Sequence, residues 1–114
     1  MIKFLTQYGI LCIIKERWIM QGKDKLLYLI KHYKCGDYST NDFCDLYTNT
    51  FNLEIENEDL SDEEWEHFEQ LMRVTSRFSP YEADFINYPK AYTNTNAVDD
   101  ALAKLCENLQ LVIL

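Results

Sequence analysis

The sequence contains few residues that interrupt regular structure: only 3 glycines and 2 prolines occur among 114 residues. A phosphate-binding loop needs several glycines close together, whereas Gly9, Gly22 and Gly36 lie far apart. The H-E-x-x-H motif of zinc peptidases and the G-x-S-x-G motif of serine hydrolases are also absent. The sequence carries no signature of an enzyme, and we expect a protein without catalytic activity.

Cysteine is sparse and irregularly spaced. The 4 cysteines, Cys12, Cys35, Cys44 and Cys106, form no C-x-x-C pair. This spacing favours free thiols in a reducing cytosol over a disulfide scaffold, so we predict a cytoplasmic protein. His32 lies three residues before Cys35, and Cys44 is nearby in sequence. These three side chains could supply part of a zinc site. We interpret His32 as a helix-surface residue and the thiols as core or near-core fillers, and we expect no metal or cofactor.

No apolar run is long enough to span a bilayer, which needs about 20 residues. Residues 4–14 match the length of a signal-peptide core, but Gln7 interrupts them and no small-x-small cleavage site follows. Two interpretations remain open for residues 1–19: a buried N-terminal strand or helix, or a start placed upstream of the natural one at Met20. We favour the second, and expect residues 20–114 to form a single helical domain.

Positive charge is scarce. The chain has 11 Lys and Arg against 19 Asp and Glu, which gives a formal net charge of −8. Residues 1–19 carry +2, from Lys3, Lys15 and Arg17 against Glu16, so the remainder carries −10. A surface of this sign repels nucleic acid and anionic membranes and attracts basic proteins. We therefore expect a protein partner, with no direct binding to nucleic acid or membrane.

The negative charge is concentrated in the stretch EIENEDLSDEEWEHFE, residues 54–69, which contains nine carboxylates and no Lys or Arg. It could be a solvated helix face, a metal site, or a surface for a basic partner. Glu54, Glu56 and Glu58 alternate as in a calcium loop, but the Gly-containing core of such a loop is missing. Glycosidase chemistry needs two carboxylates in a cleft, and a helical domain of this size offers little cleft.

The one-sided charge favours the partner surface. Like charges three or four residues apart on a helix, such as Asp62 and Glu66, cost roughly a few tenths of a kcal/mol each. A helix that needed only solubility would include Lys and Arg on the same face. We interpret the stretch as a surface that presents carboxylates to a basic partner where phosphates would otherwise bind.

After residue 20 the apolar pattern is helical. Two helices are expected first. The first ends at Gly36 and has apolar residues at helical spacing: Leu26, Leu27, Ile30 and Tyr33. The second is capped by Ser39 or Thr40, and its inward-facing residues are Phe43, Leu46, Tyr47 and Thr50 or Phe51. A loop or short extended piece follows.

Two further long helices are expected. Ser61 and Glu64 form a capping box for the third, whose inward stripe is Trp65, Phe68, Met72 and Thr75 and which ends near Arg77. Pro80 can open a short helical turn at residues 81–86. Thr95 or Asn96 caps the last helix, with Val98, Leu102, Leu105 and Leu109 facing inward. The sequence predicts an all-α fold, a compact bundle of about four main helices.

The segment RFSPYEADFINYPKAYTNTNAVDDALAKL, residues 77–105, resembles the signature of colicin D-type immunity proteins. This family includes the immunity proteins of contact-dependent growth inhibition systems. The matching positions are Phe78, Pro80, Glu82, Asp84, Tyr88, Pro89 and Tyr92. The resemblance extends over about residues 23–109, and residues 26–52 are similar to the opening helical hairpin of the family. Lys90 and Ala91 depart from the pattern, which has a Gly-containing turn there.

The resemblance implies a helical bundle that binds the C-terminal nuclease domain of a cognate bacterial toxin, a tRNase, and covers its active site with an acidic surface. The charge of the chain predicts the partner-binding residues Asp59, Asp62, Glu63, Glu66 and Glu69. The motif adds Glu82 and Asp84, which could instead fix the loop. We interpret Phe78, Tyr88 and Tyr92 as core or loop anchors. The alternative is a small acidic helical adaptor or regulatory module without a toxin partner.

Overall fold

The computed structural model of the protein describes residues 21–110. They form five α-helices: α1 (Gly22–Lys34), α2 (Thr40–Glu54), α3 (Asp62–Thr75), α4 (Glu82–Asn87) and α5 (Thr95–Asn108), with a 3₁₀ turn at Asn57–Asp59 between α2 and α3. Between residues 21 and 110 there is no strand, and one isolated parallel bridge joins Phe78 and Thr93. The prediction of an all-α bundle with four main helices is confirmed. The interpretations of residues 1–19 concern a segment outside the described residues.

The four long helices enclose one hydrophobic core. Helix α1 packs on α2, α2 on α3, and α3 on α5. Burial of each large apolar side chain stabilises the fold by about 1.5–3 kcal/mol. The fully buried residues come from all four helices: Leu26, Ile30, Phe43, Tyr47, Phe68, Leu71, Val98 and Leu105.

Hydrogen bonds of two tyrosines connect the helices around this core. The Tyr47 hydroxyl donates to the backbone oxygen of Phe68 at 2.9 Å, which gives its buried polar group a partner. Burial raises the pKa of Tyr47 well above its usual value. The Tyr33 hydroxyl donates to the Asp99 carboxylate at 2.7 Å and so joins α1 to α5. Burial, together with the nearby Asp99 charge, raises the pKa of Tyr33 to about 12.

The helix ends follow local rules, with one correction. Gly36 takes φ +90° just after α1, its N–H donates to the oxygen of Tyr33, and the next N–H donates to the oxygen of His32. These two bonds close the C-terminus of α1 as the sequence predicts. The Ser39 side chain caps α2. The prediction of Thr95 or Asn96 as the cap of the last helix is wrong. The Asn94 side chain accepts the N–H of Ala97 at 2.9 Å, so Asn94 is the cap and α5 begins at Thr95.

The inward face of α2 is also corrected. Phe43, Tyr47, Thr50 and Phe51 are buried as predicted, but Leu46 is exposed. It directly precedes Tyr47 and therefore lies about 100° around the helix from the centre of the buried face. Cys44 takes its place in the core, where burial raises the pKa of the thiol to about 12. The interpretation of the thiols as core or near-core fillers holds for Cys44 but is wrong for Cys35, which is exposed.

Candidate protein-interaction surface

The start of α3 is fixed by a reciprocal pair of hydrogen bonds. The N–H of Glu64 donates to the Ser61 hydroxyl at 3.1 Å, and the N–H of Ser61 donates to the Glu64 carboxylate at 2.9 Å. The predicted capping box is confirmed. The Glu64 carboxylate also pairs with Lys23 of α1. The Lys23 ammonium, followed by the Ser61 amide, holds the pKa of Glu64 below its usual value.

This start determines which carboxylates of α3 face solvent. Phe68, Leu71 and Thr75 are buried on the side of α3 that contacts the core. Asp62, Glu63 and Glu66 lie away from that stripe and are exposed. Among residues 21–110 none of the three pairs with a Lys or Arg. We call these three residues the acidic face of α3. They are three of the predicted partner-binding residues, and the structure brings them together on one helix.

Glu69, another predicted partner-binding residue, lies one turn beyond Glu66. Its carboxylate accepts a hydrogen bond from the Arg73 guanidinium at 3.4 Å, and both side chains are partly or fully exposed. An exposed pair of this kind contributes only roughly 0.3–0.5 kcal/mol. A basic partner could therefore replace Arg73 at little cost to the fold. Glu69 lies beside the acidic face of α3 but, unlike its three residues, is paired with a cation.

Asp59 has contacts within the fold. Its carboxylate accepts the N–H of Glu56 at 2.8 Å. It also lies against the first residue of α1, Gly22, where a Cβ would come within 3.0 Å of the carboxyl group. Gly22 has φ +59°, so this close approach requires glycine both for its backbone conformation and for space. A carboxylate at a helix N-terminus is favourable. Asp59 is thus a structural residue at the edge of the acidic region, and its predicted contact with a partner stays a prediction.

The two carboxylates of the motif segment differ in their surroundings. The Asp84 carboxylate accepts a hydrogen bond from the Ser79 hydroxyl, and that hydroxyl also accepts the N–H of Tyr81 at 3.1 Å. Asp84 therefore fixes the loop. Glu82 is exposed in the first turn of α4 and has no cation beside it among the described residues. Of this pair, Glu82 is the one available to a partner.

The aromatic residues of the segment are more exposed than predicted. Phe78 packs against the core, as expected of an anchor. Tyr88 is exposed, so it is not a core residue, and its interpretation as a loop anchor stays a prediction. It contacts Tyr92 edge-on with ring centroids 6.4 Å apart, and Tyr92 meets Phe85 in the same way. These rings therefore contact one another within the segment while Tyr88 and Tyr92 stay exposed.

A groove of about 380 Å³ lies between α3 and α5. His67, Leu71, Asp100 and Lys104 are among the residues that line it. Nδ1 of His67 is buried and has no hydrogen-bond partner among residues 21–110. None of the lining residues belongs to the predicted partner-binding set.

The residues considered for zinc lie apart from the acidic face. Nδ1 of His32 pairs with the Asp37 carboxylate, and the His32 ring contacts the Tyr28 ring at a tilt of 40°, with centroids 4.1 Å apart. In the part of the chain that the structure describes, no group of three or more His, Cys, Asp or Glu is arranged to hold a metal ion. Across the same range, no helix has the length and apolarity needed to cross a membrane.

Comparisons of the chain with protein-family models, with curated proteins and with solved structures find no match. The case for a function therefore depends on the charge, exposure and contacts of the residues described above.

Proposed function

We propose that the protein is an immunity protein that binds and neutralises the nuclease domain of a cognate bacterial toxin, a tRNase, by covering its basic RNA-binding surface. The observation that carries this proposal is the acidic face of α3: Asp62, Glu63 and Glu66 are exposed on one helix and have no cation partner among residues 21–110. The resemblance of residues 77–105 to colicin D-type immunity proteins agrees with it.

The electrostatics suit such a partner. A surface that binds RNA presents Lys and Arg to phosphates. Carboxylates on a rigid helix can occupy the phosphate positions and accept charge-assisted hydrogen bonds from the same cations. Three carboxylates within two turns, without an ion pair among residues 21–110, also produce a negative field, and such a field increases the rate of encounter with a basic protein.

The geometry also favours a preformed inhibitor. The capping box and the contact between Glu64 and Lys23 fix the start of α3 before any partner arrives. A surface that is ordered in advance loses less conformational freedom on binding. In this proposal the protein acts by stoichiometric binding in the cytoplasm, without catalysis and without a cofactor.

The test is a protection assay. Reading frames beside the gene for this chain are searched for a toxin, its C-terminal domain is expressed with and without this chain, and cell growth and tRNA integrity are followed. The proposal predicts rescued growth with intact tRNA. Continued tRNA cleavage while the chain is folded and abundant would contradict it, and would favour an acidic adaptor that serves another partner.

A further inference from the structure

Residues 79–92 form a closed loop on the surface. Its two ends are joined by backbone hydrogen bonds, from the N–H of Ser79 to the oxygen of Thr93 at 3.0 Å and from the N–H of Thr93 to the oxygen of Arg77 at 2.9 Å. The Thr93 hydroxyl also donates to the oxygen of Val74 in α3 at 2.8 Å. Compact loops of 6–16 residues with adjacent ends are frequently functional. We call residues 79–92 the aromatic loop.

The interior of the loop is tied down as well. The buried Ser79 hydroxyl bonds to both the Asp84 carboxylate and the N–H of Tyr81, and α4 lies within the loop. The N–H of Tyr88 donates to the oxygen of Asp84 at 2.8 Å, and that of Ala91 to the oxygen of Tyr88 at 3.1 Å. The conformation of the loop is therefore set by its own hydrogen bonds.

This ordered loop displays large apolar side chains to solvent. Tyr81 is 68% exposed, Ile86 72% and Tyr88 60%. Asn87, Tyr88, Pro89, Lys90 and Ala91 line an open depression on the loop. Tyrosines on a preformed backbone supply contact area at low entropic cost, which is why they are enriched among the residues that dominate binding energy. A loop held in place while its apolar side chains remain uncovered is suited to pack against another molecule.

We infer that the aromatic loop is the packing half of the interface whose electrostatic half is the acidic face of α3, and that both bind the same basic nuclease domain. This inference rests on the proposed function. Helix α3 has 14 residues and is about 21 Å long, with the acidic face at its start and the aromatic loop attached at its end. A standard interface of about 800 Å² per partner is roughly 30 Å across, so the length of α3 is within the reach of one partner.

Charge complementarity identifies the occupant. The described chain is strongly acidic, and within the loop Glu82 and Asp84 outnumber the single cation Lys90. The exposed Glu82 carboxylate forms no ion pair with a Lys or Arg among the described residues. A second copy of this chain would bring its own excess of negative charge to the same surface, and like charges across an interface are unfavourable. A basic protein would be attracted electrostatically to the carboxylates of both the aromatic loop and the acidic face of α3.

The two halves have different kinetic roles. Long-range charge acts mainly on the association rate, whereas desolvated apolar contacts form after encounter and act mainly on the dissociation rate. Reversing charges on α3 therefore slows association, and truncating the loop side chains accelerates dissociation. This separation makes the inference testable independently of the acidic face.

The experiment measures association and dissociation rates of the full chain on the immobilised toxin nuclease domain of the protection assay. Tyr81→Ala, Ile86→Ala and Tyr88→Ala are compared singly and combined with wild type. Leu53→Ala is the matched control, because Leu53 is 80% exposed on α2, outside the loop. The combined variant is expected to dissociate about tenfold faster or more, with an association rate within about twofold of wild type. Melting temperatures confirm that each variant is folded.

Two results would overturn the inference while leaving the proposed function intact. One is a combined variant that dissociates at the wild-type rate although charge reversal on α3 weakens binding. The other is a wild-type chain that dimerises through the loop and becomes monomeric in the combined variant, because the loop would then serve self-association. A wild-type chain that does not bind the nuclease domain would instead overturn the proposed function, and this inference with it.

Discussion

Ser61 and Glu64 exchange two hydrogen bonds, each from the backbone N–H of one residue to the side chain of the other. The exchange directs the Glu64 carboxylate back toward the helix start, where Lys23 of α1 also reaches it. Glu63 and Glu66, on either side in sequence, are left exposed. One short run of acidic residues thus contains a carboxylate that stabilises the fold and carboxylates that are open to a partner.

The cap itself can be tested by stability. Ser61→Ala removes the side-chain acceptor of the Glu64 N–H, and loss of such a cap typically costs about 1 kcal/mol. We expect urea unfolding to show a free energy lower by about that amount with an unchanged slope. Ser76→Ala is the matched control, since its hydroxyl donates to the oxygen of Arg73 at the other end of α3, where a helix carbonyl can also be solvated. Equal losses in both variants would contradict a specific role of the Ser61 cap.

The depressed pKa of Glu64 predicts a pH-dependent contribution to stability. Because Lys23 and the Ser61 amide lower the pKa in the folded state, the ionised carboxylate stabilises the fold above its ordinary pKa of 4.5, and this contribution is lost as the pH falls through the folded value. We expect the difference in unfolding free energy between wild type and Glu64→Gln to be largest above about pH 5 and to shrink toward pH 3. Unfolding curves across this range measure it, with Glu63→Gln as the reference for removing one charge. A difference that stays constant would refute the assignment.

The aromatic loop depends on a buried hydroxyl. Ser79→Ala leaves the Asp84 carboxylate and the N–H of Tyr81 without their shared partner. We expect a loss of roughly 1–2 kcal/mol and faster proteolytic cleavage within residues 80–92, because the loop opens more often. Limited proteolysis followed by mass spectrometry locates the cuts. Asp84→Asn retains an oxygen acceptor and should have a smaller effect. Unchanged cleavage in Ser79→Ala would show that the end bonds alone order the loop.

The parts of the structure that depend on neighbours in sequence could be predicted from the sequence. The capping box at Ser61 needs only residues three apart, and the end of α1 needs only Gly36. The buried face of α2 could be predicted except at Leu46. Leu46 and Tyr47 are adjacent apolar residues, and the sequence alone does not show which of them is nearer the centre of the buried face. The predicted cap of α5, Thr95 or Asn96, lies one or two residues beyond the observed cap Asn94, since all three residue types are good caps.

Contacts between distant residues could not be predicted from the sequence. Asp59 has the same charge as its exposed neighbours, and only the fold brings it against Gly22 at the start of α1. Likewise the bond between Ser79 and Thr93 closes the aromatic loop across residues that show no periodic pattern. For this reason the exposure of Asp62, Glu63 and Glu66 was predicted correctly, whereas that of Tyr88 was not.

The central claim is that the acidic face of α3 binds a basic nuclease domain, and its most direct test is charge reversal with a matched control. Glu63→Lys/Glu66→Lys and Asp45→Lys/Glu107→Lys change the net charge by the same amount at exposed positions, the first pair on the acidic face and the second elsewhere. The association rate with the toxin nuclease domain is measured for both and for wild type at low and high salt.

The account predicts that Glu63→Lys/Glu66→Lys slows association at low salt by about tenfold or more and flattens its salt dependence, while Asp45→Lys/Glu107→Lys has a clearly smaller effect. Circular dichroism should show that both variants keep the helical content of the wild type. Equal slowing by the two variants would mean that net charge acts without a specific surface, and an unchanged rate for Glu63→Lys/Glu66→Lys would contradict the role of the acidic face outright.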